Sequence, residues 1–246
     1  MLRTLLFSLV LLGAVPAHSA LKTGESYIVD YEFFSVELDC DTRSATRWWY
    51  VTLKDLGNFK RSDEFYYDPS VPSRCQQKSQ STYRNHSKVS YDRGHLVPAN
   101  SMDFSALAIV QSNSMVNVLP QVAQMNRGAW YQTELWEECR RDLYQMTVYG
   151  GVYRDDSAPI PQGGDFTRTH GVTAPQAFWK VITYDGNVIA WWIPNSVNAV
   201  ASNVDTYLVS VRDIEQWTGQ SIEIDPFLKD FKSASTNAML AGCDKS

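Results

Sequence analysis

The chain reads as an α+β protein built on a mixed antiparallel sheet, and three observations support this. Short runs rich in β-branched and aromatic residues recur at Trp48 to Leu53, Met115 to Leu119, Met146 to Tyr153, Ala177 to Tyr184 and Asn187 to Ile193. Asp185-Gly186, between the last two, is a strong hairpin-turn pair. Beside these strands stand two helical patterns, one from about Gln124 to Tyr144 and one from about Asp205 to Trp217, the second stopping at Gly219 as a C-terminal cap. A sheet with a few helices is α+β.

Taken in order, the first twenty residues lie outside that fold. Arg3 gives a positive start, Leu5 to Val15 an apolar stretch, and Ala17-His18-Ser19-Ala20 a small-residue exit. This is the pattern of a secretory signal peptide cleaved after Ser19 or Ala20. Residues 21–246 then suit one large domain. The stretch from Asp63 to Ser90 is polar, carries Pro69 and Pro72, and reads as a long irregular excursion held by Cys75. In the pairs Trp48-Trp49 and Trp191-Trp192, neighbouring residues of a strand face opposite ways. Each pair should put one ring in a core and the other near a surface or a second layer.

Cys40, Cys75, Cys139 and Cys243 in an exported chain read as two disulfides, with three connectivities open. Their spacings are unlike those of a zinc cluster. The expected product is exported, periplasmic or extracellular, with no further apolar run long enough to span a membrane.

Charge limits how the chain can meet a polyanion. Loss of Arg3 with the leader leaves 21 basic and 27 acidic residues, a net charge of −6. Proteins that grip long stretches of nucleic-acid backbone are usually basic. Here Arg84, Lys88, Arg93, Arg127, Arg140 and Arg141 lie near one segment, which implies a small basic cleft and a short footprint.

That segment is Tyr91-Asp92-Arg93-Gly94-His95-Leu96-Val97-Pro98-Ala99-Asn100, followed by Asn117-Val118-Leu119-Pro120-Gln121 and Asn126-Arg127-Gly128-Ala129-Trp130. Phosphodiester hydrolysis needs an activated water, neutralised phosphate charge and a stabilised leaving oxygen. His95 suits a general base because its ordinary pKa is near neutral. Gly94 permits the backbone to come close or to turn tightly. Arg93 offers a planar cationic fork for phosphate oxygens, the alternative being a salt bridge to Asp92, which otherwise orients the loop. On a regular helix Asn126, Trp130 and Glu134 share one face. An amide oxygen and a carboxylate pointing one way suit a hard cation such as Mg2+, which accepts oxygen ligands and keeps its waters.

Together these segments resemble the DNA/RNA non-specific endonuclease family of the ββα-metal superfamily, over roughly Tyr31 to Phe231. Asp41-Thr42-Arg43 with Trp48-Trp49, Phe178 to Ile182 and Val211 to Gly219 resemble further blocks of that family. The resemblance implies a ββα-metal finger: a hairpin carrying the base, with Met115 to Leu119 as its second strand, and then a helix carrying the metal ligand. It implies His95 as general base, Asn126 as direct Mg2+ ligand, with Mn2+ as a substitute, and Glu134 holding the hydrated metal through water. It also implies Asn117 as a residue ordering the site and Arg93 as the motif arginine. The activity implied is endonucleolytic cleavage of DNA and RNA with little sequence preference, leaving 5′-phosphate ends. DNA and RNA are the expected partners, and whether a protein inhibitor exists is left open by the sequence. The chain departs from the family at Tyr149-Gly150-Gly151, where Thr-Gly-Pro is common. A further upstream basic residue has two candidates, Arg84 and Arg61.

Two other readings compete. One is a thiol hydrolase using Cys139, His95 and Asn117, which requires a free thiol. The other is a non-catalytic nucleic-acid-binding or partner-binding protein on the same fold.

Overall fold

A computed structural model describes residues 24–57, 59–236 and 243; the expected signal peptide lies outside the described residues. Six strands form one sheet in the order β1-β2-β3-β6-β9-β10, every neighbouring pair antiparallel. They are β1 (Ser26–Asp30), β2 (Phe34–Asp39), β3 (Ser44–Val51), β6 (Met146–Tyr153), β9 (Ala177–Tyr184) and β10 (Asn187–Pro194). The strands expected at Met146 to Tyr153, Ala177 to Tyr184 and Asn187 to Ile193 and the Asp185-Gly186 hairpin are present, while the strand expected from Trp48 to Leu53 runs from Ser44 to Val51. β1 and β2 were not singled out from the sequence.

A second hairpin stands apart from the sheet, pairing β4 (Tyr91–His95) with β5 (Val118–Val122). Between its strands lies α1 (Ala106–Ser112). After it come a single turn, α2 (Ala123–Met125), a π-type segment over Asn126–Trp130, and α3 (Tyr131–Glu138). This is the ββα arrangement. A minor pair, β7 (Asp165–Phe166) and β8 (Val172–Thr173), lies in the following loop, and α4 (Val211–Thr218) comes near the end.

Three further elements differ from expectation. Met115–Asn117 is a 3-10 turn, so the strand starts only at Val118. The Asn117 side chain bonds Val97 and Ser112, and those bonds hold a turn there. The helix expected over 124–144 breaks at Gly128 (φ −110°, ψ −109°) and ends at Glu138. The break is fixed from outside: Ala129 N–H donates to Ala199 O at 3.0 Å, and a Cβ on Gly128 would lie 2.9 Å from that same oxygen. The helix expected from Asp205 starts at Val211. Ser210 caps it reciprocally with Asp213, so the preceding turns form a separate 3-10 segment, Ala201–Tyr207. Gly219 ends α4 in the left-handed conformation, as expected.

Two cores cover the two sheet faces. Trp48, Val148, Phe178, Ile182 and Trp191 pack against Met125, Trp130 and Trp136 of the ββα unit. Trp179, Val181, Val188 and Ala190 pack against Val211 and Ile214 of α4. The tryptophan pairs therefore split between layers: Trp48 and Trp191 are fully buried, while Trp192 lies in the second layer against Trp217. The Gly150-Gly151 departure has a packing reason, because Cβ atoms there would lie 2.1 Å and 2.3 Å from the Trp48 and Trp179 rings.

Disulfides join Cys40 to Cys75 and Cys139 to Cys243. The first pins the 63–90 excursion against β2, as expected for Cys75. The second removes the thiol that the hydrolase alternative needs. No helix among the described residues is long and apolar enough to cross a membrane.

Candidate active site

The hairpin, the chain at Arg61, the turn at Pro98 to Ser101 and the helical run from Asn126 to Glu138 enclose an open cleft of about 420 Å³. Its walls include Arg61, Arg93 and His95 on one side, and Asn126, Arg127, Tyr131, Glu134 and Glu138 on the other. The structure thus gathers Arg93, His95, Asn126 and Glu134 from segments up to forty-one positions apart in sequence. Asn117 is buried behind the cleft. Its Oδ1 accepts from Val97 N–H at 2.9 Å, and its Nδ2 donates to Val97 O at 3.0 Å and Ser112 O at 2.8 Å. It therefore fixes the backbone just after His95 and lines no part of the cleft.

Strand periodicity puts Arg93 and His95 on one side of β4. Both meet Phe65 of the excursion. The Arg93 guanidinium lies 4.0 Å from the Phe65 ring centroid, and the His95 ring lies 5.4 Å from it, tilted. Arg93 also donates to Gln80 O at 2.9 Å. It does not take the salt bridge to Asp92; Arg127 does, at 2.6 Å. Gly94, between them, is needed for the close approach of the Gln121 side chain.

The imidazole of His95 is held at both nitrogens. Nε2 faces Asn113 Oδ1 at 2.9 Å, while Asn113 Nδ2 donates to Ser62 O at 2.7 Å. The second contact fixes the amide orientation, so its oxygen must accept, and the His95 proton sits on Nε2. Nδ1 is left as the basic nitrogen, with Arg61 Nη2 at 3.4 Å. Burial, with the nearby Arg61 charge, lowers the His95 pKa to about 4, which keeps the ring neutral at pH 7.

Asn126 is oriented in the same way. Its Nδ2 donates to Asp92 Oδ2 at 3.0 Å, and Arg127 Nε donates to that oxygen at 2.8 Å. With the amide nitrogen committed, Oδ1 is the end free to ligate. Glu134, half-buried across the cleft wall, has its pKa raised to about 7, chiefly by burial and less by the neighbouring Glu137 charge; Lys180 and Arg61 oppose the shift. An amide oxygen and a carboxylate that is costly to ionise alone fit a small oxygen-seeking divalent cation. Among the described residues no three His, Cys, Asp or Glu side chains form a metal cluster.

Trp130 departs from the expected shared face. It is fully buried against Trp48 and Phe178, because the break at Gly128 turns it inward while Asn126 and Glu134 stay on the cleft. The basic residues also sort differently. Arg141 is buried in an acidic nest of Asp55, Glu138 and Asp103, and the Arg140 guanidinium lies 4.3 Å from the Trp136 ring centroid. Neither lines the cleft, nor do Arg84 and Lys88; of the two upstream candidates, Arg61 does. Asn113 and Phe65 were not anticipated. Neither carries a local sequence signal, and both act only through contacts made by folding.

The profile of the DNA/RNA non-specific endonuclease family matches residues 13–231. A nuclease of Nostoc sp. is 26% identical over 84% of this chain and 76% of its own length. Mitochondrial endonuclease G of Bos taurus is 26% identical over 83% and 69% respectively. A nuclease of Serratia marcescens is 26% identical over 76% of this chain and 71% of its own. In structure, an EndoG chain solved in an EndoG/EndoGI complex superposes with a TM-score of 0.64 at 20% identity, over 84% of this chain and 90% of that one, which shows the same fold. This chain belongs to the DNA/RNA non-specific endonuclease family.

Proposed function

We propose that this chain is a Mg2+-dependent endonuclease that hydrolyses DNA and RNA at little-discriminated sites and leaves 5′-phosphate ends. One observation carries the mechanism: Asn113 holds the His95 proton on Nε2, leaving Nδ1 basic toward the cleft. Once Arg61 turns from Nδ1 to the phosphate, His95 takes a proton from water there as the water oxygen attacks phosphorus. The bond to the 3′ oxygen breaks opposite the attack. That oxygen leaves with a proton from solvent, and the phosphate stays on the 5′ side.

Arg61 and Arg93 neutralise the charge that builds on the phosphate. Asn126 Oδ1 would hold the metal directly and Glu134 would hold it through water. When bound, Mg2+ supplies Lewis-acid stabilisation of the phosphate and the leaving oxygen. Asp92 aims Asn126, and Asn117 sets the backbone that follows His95; these are positioning residues. Since no step uses a 2′-hydroxyl, either sugar serves.

The chain is proposed to act after export. The two disulfides support folding in an oxidising compartment.

The test is incubation of the oxidised protein with supercoiled plasmid and with RNA, in Mg2+ or in EDTA, with the product ends mapped by phosphatase and ligase. The proposal expects both substrates to be cut only with Mg2+, giving 5′-phosphates. Folded protein that cuts neither substrate would leave a binding role on this fold.

A further inference from the structure

The helical wall of the cleft carries Arg127, Tyr131, Glu134 and Glu138 at three- and four-residue spacing. Three of these are charged. Tyr131 is an aromatic ring 42% exposed at the first position of α3. Other aromatic side chains are open to solvent, among them Phe59, Tyr67, Trp217, Phe227 and Phe231, but none of them lines the cleft. Among the described residues the Tyr131 ring has no aromatic or cationic partner, and its hydroxyl makes no hydrogen bond. Phe65, by contrast, is already covered by Arg93 and His95. Folding therefore leaves one unpartnered π-face at the reaction cleft.

The charges around it limit how else substrate could be gripped. The chain is acidic overall, and Arg127 is tied to Asp92. The cleft itself is lined by three cations, Arg61, Arg93 and Arg127, too few to track a long backbone. A base stacked on an aromatic ring adds affinity that does not depend on phosphate charge, and any base can supply it. A base inside a duplex is already stacked on its neighbours and reaches such a ring only when turned out.

We propose that Tyr131 is a stacking platform for one unpaired nucleobase next to the cleaved phosphate. The site then grips a base as well as the phosphate, and favours single-stranded or locally opened nucleic acid. This rests on the nuclease reading above.

A single abasic nucleotide tests it, walked through a single-stranded DNA oligonucleotide across the cleaved bond. The readout is kcat/KM relative to the intact oligonucleotide, for wild type, Tyr131→Phe and Tyr131→Ala. Wild type should lose on the order of 10- to 100-fold at one position, the size of a lost stacking contact. Tyr131→Phe should show the same penalty, and Tyr131→Ala none, since its intact substrate is already as poor as the abasic one. A Tyr131→Ala enzyme with the wild-type penalty would overturn the proposal. So would a wild type that cleaves intact and abasic strands equally well. If wild type cuts neither these strands nor plasmid, the nuclease reading fails first and takes this inference with it.

Discussion

His95 and Asn126 are each reached through a partner that commits one end of the side chain. Asn113 takes the Nε2 proton of one, and Asp92 takes the amide nitrogen of the other. Asn113→Ala frees the ring and should lower kcat by on the order of 10²-fold through misplacement alone. Asn113→Asp should move the acid limb of the kcat/KM profile to higher pH, because a carboxylate favours the imidazolium. A profile unchanged in both variants would remove Asn113 from the mechanism. His95 also bears on stability. Its folded pKa of about 4 lies below the ordinary 6.5, so between those values the unfolded chain binds the extra proton. Stability should therefore fall on acidification from pH 6.5 to pH 4, by up to roughly 3 kcal/mol from this group. Urea melts of wild type and His95→Asn at pH 7 and pH 4 should show the variant losing less. For Glu134, raised to about 7, protons should compete with the cation, so the Mg2+ needed for half-maximal rate should rise as pH falls below 7.

At the scale of elements, the break at Gly128 matters most. It lets the π-type segment and α3 present Asn126 and Glu134 to the cleft while Trp130 turns into the core. Gly128→Ala would press a Cβ against Ala199 O and Val200. It should weaken Mg2+ binding and activity well beyond its effect on Tm; a variant with normal metal affinity would show that the break is incidental. This element also marks the limit of sequence reading. The spacing of Asn126 and Glu134 was legible, but a regular helix was expected, since the hydrogen bond to Ala199 lies seventy residues away in sequence. Strands β6, β9 and β10 were legible because their residues are strongly β-forming, and β9 and β10 also because the turn between them is Asp-Gly. The β4 strand was not legible from its own residues, since Asp92-Arg93-Gly94-His95 has no strand-like alternation and earns its place through function. Asn113 and Phe65 were invisible for a related reason: their roles exist only once the excursion has closed over the hairpin.

For the whole molecule, the two disulfides should act differently. Cys139–Cys243 spans 104 residues and ties the C-terminal segment to the end of α3. Replacing both cysteines by Ala should cost roughly 5 kcal/mol by chain entropy, and about 10 °C or more in Tm. Cys40–Cys75 closes a loop that carries Arg61 and Phe65. Its removal should raise KM more than a loss of stability alone explains, because one wall of the cleft is loosened. Equal KM values for the two disulfide variants would contradict that division.

The most direct measurement separates metal binding from chemistry in one protein. Mg2+ affinity, by calorimetry, and single-turnover plasmid cleavage would be compared for wild type, His95→Ala and Asn126→Ala. The account predicts that His95→Ala binds Mg2+ as wild type does yet cleaves on the order of 10²- to 10⁴-fold more slowly, while Asn126→Ala loses both. A His95→Ala enzyme that cleaves within a few-fold of wild type would contradict the assignment of His95 as the base.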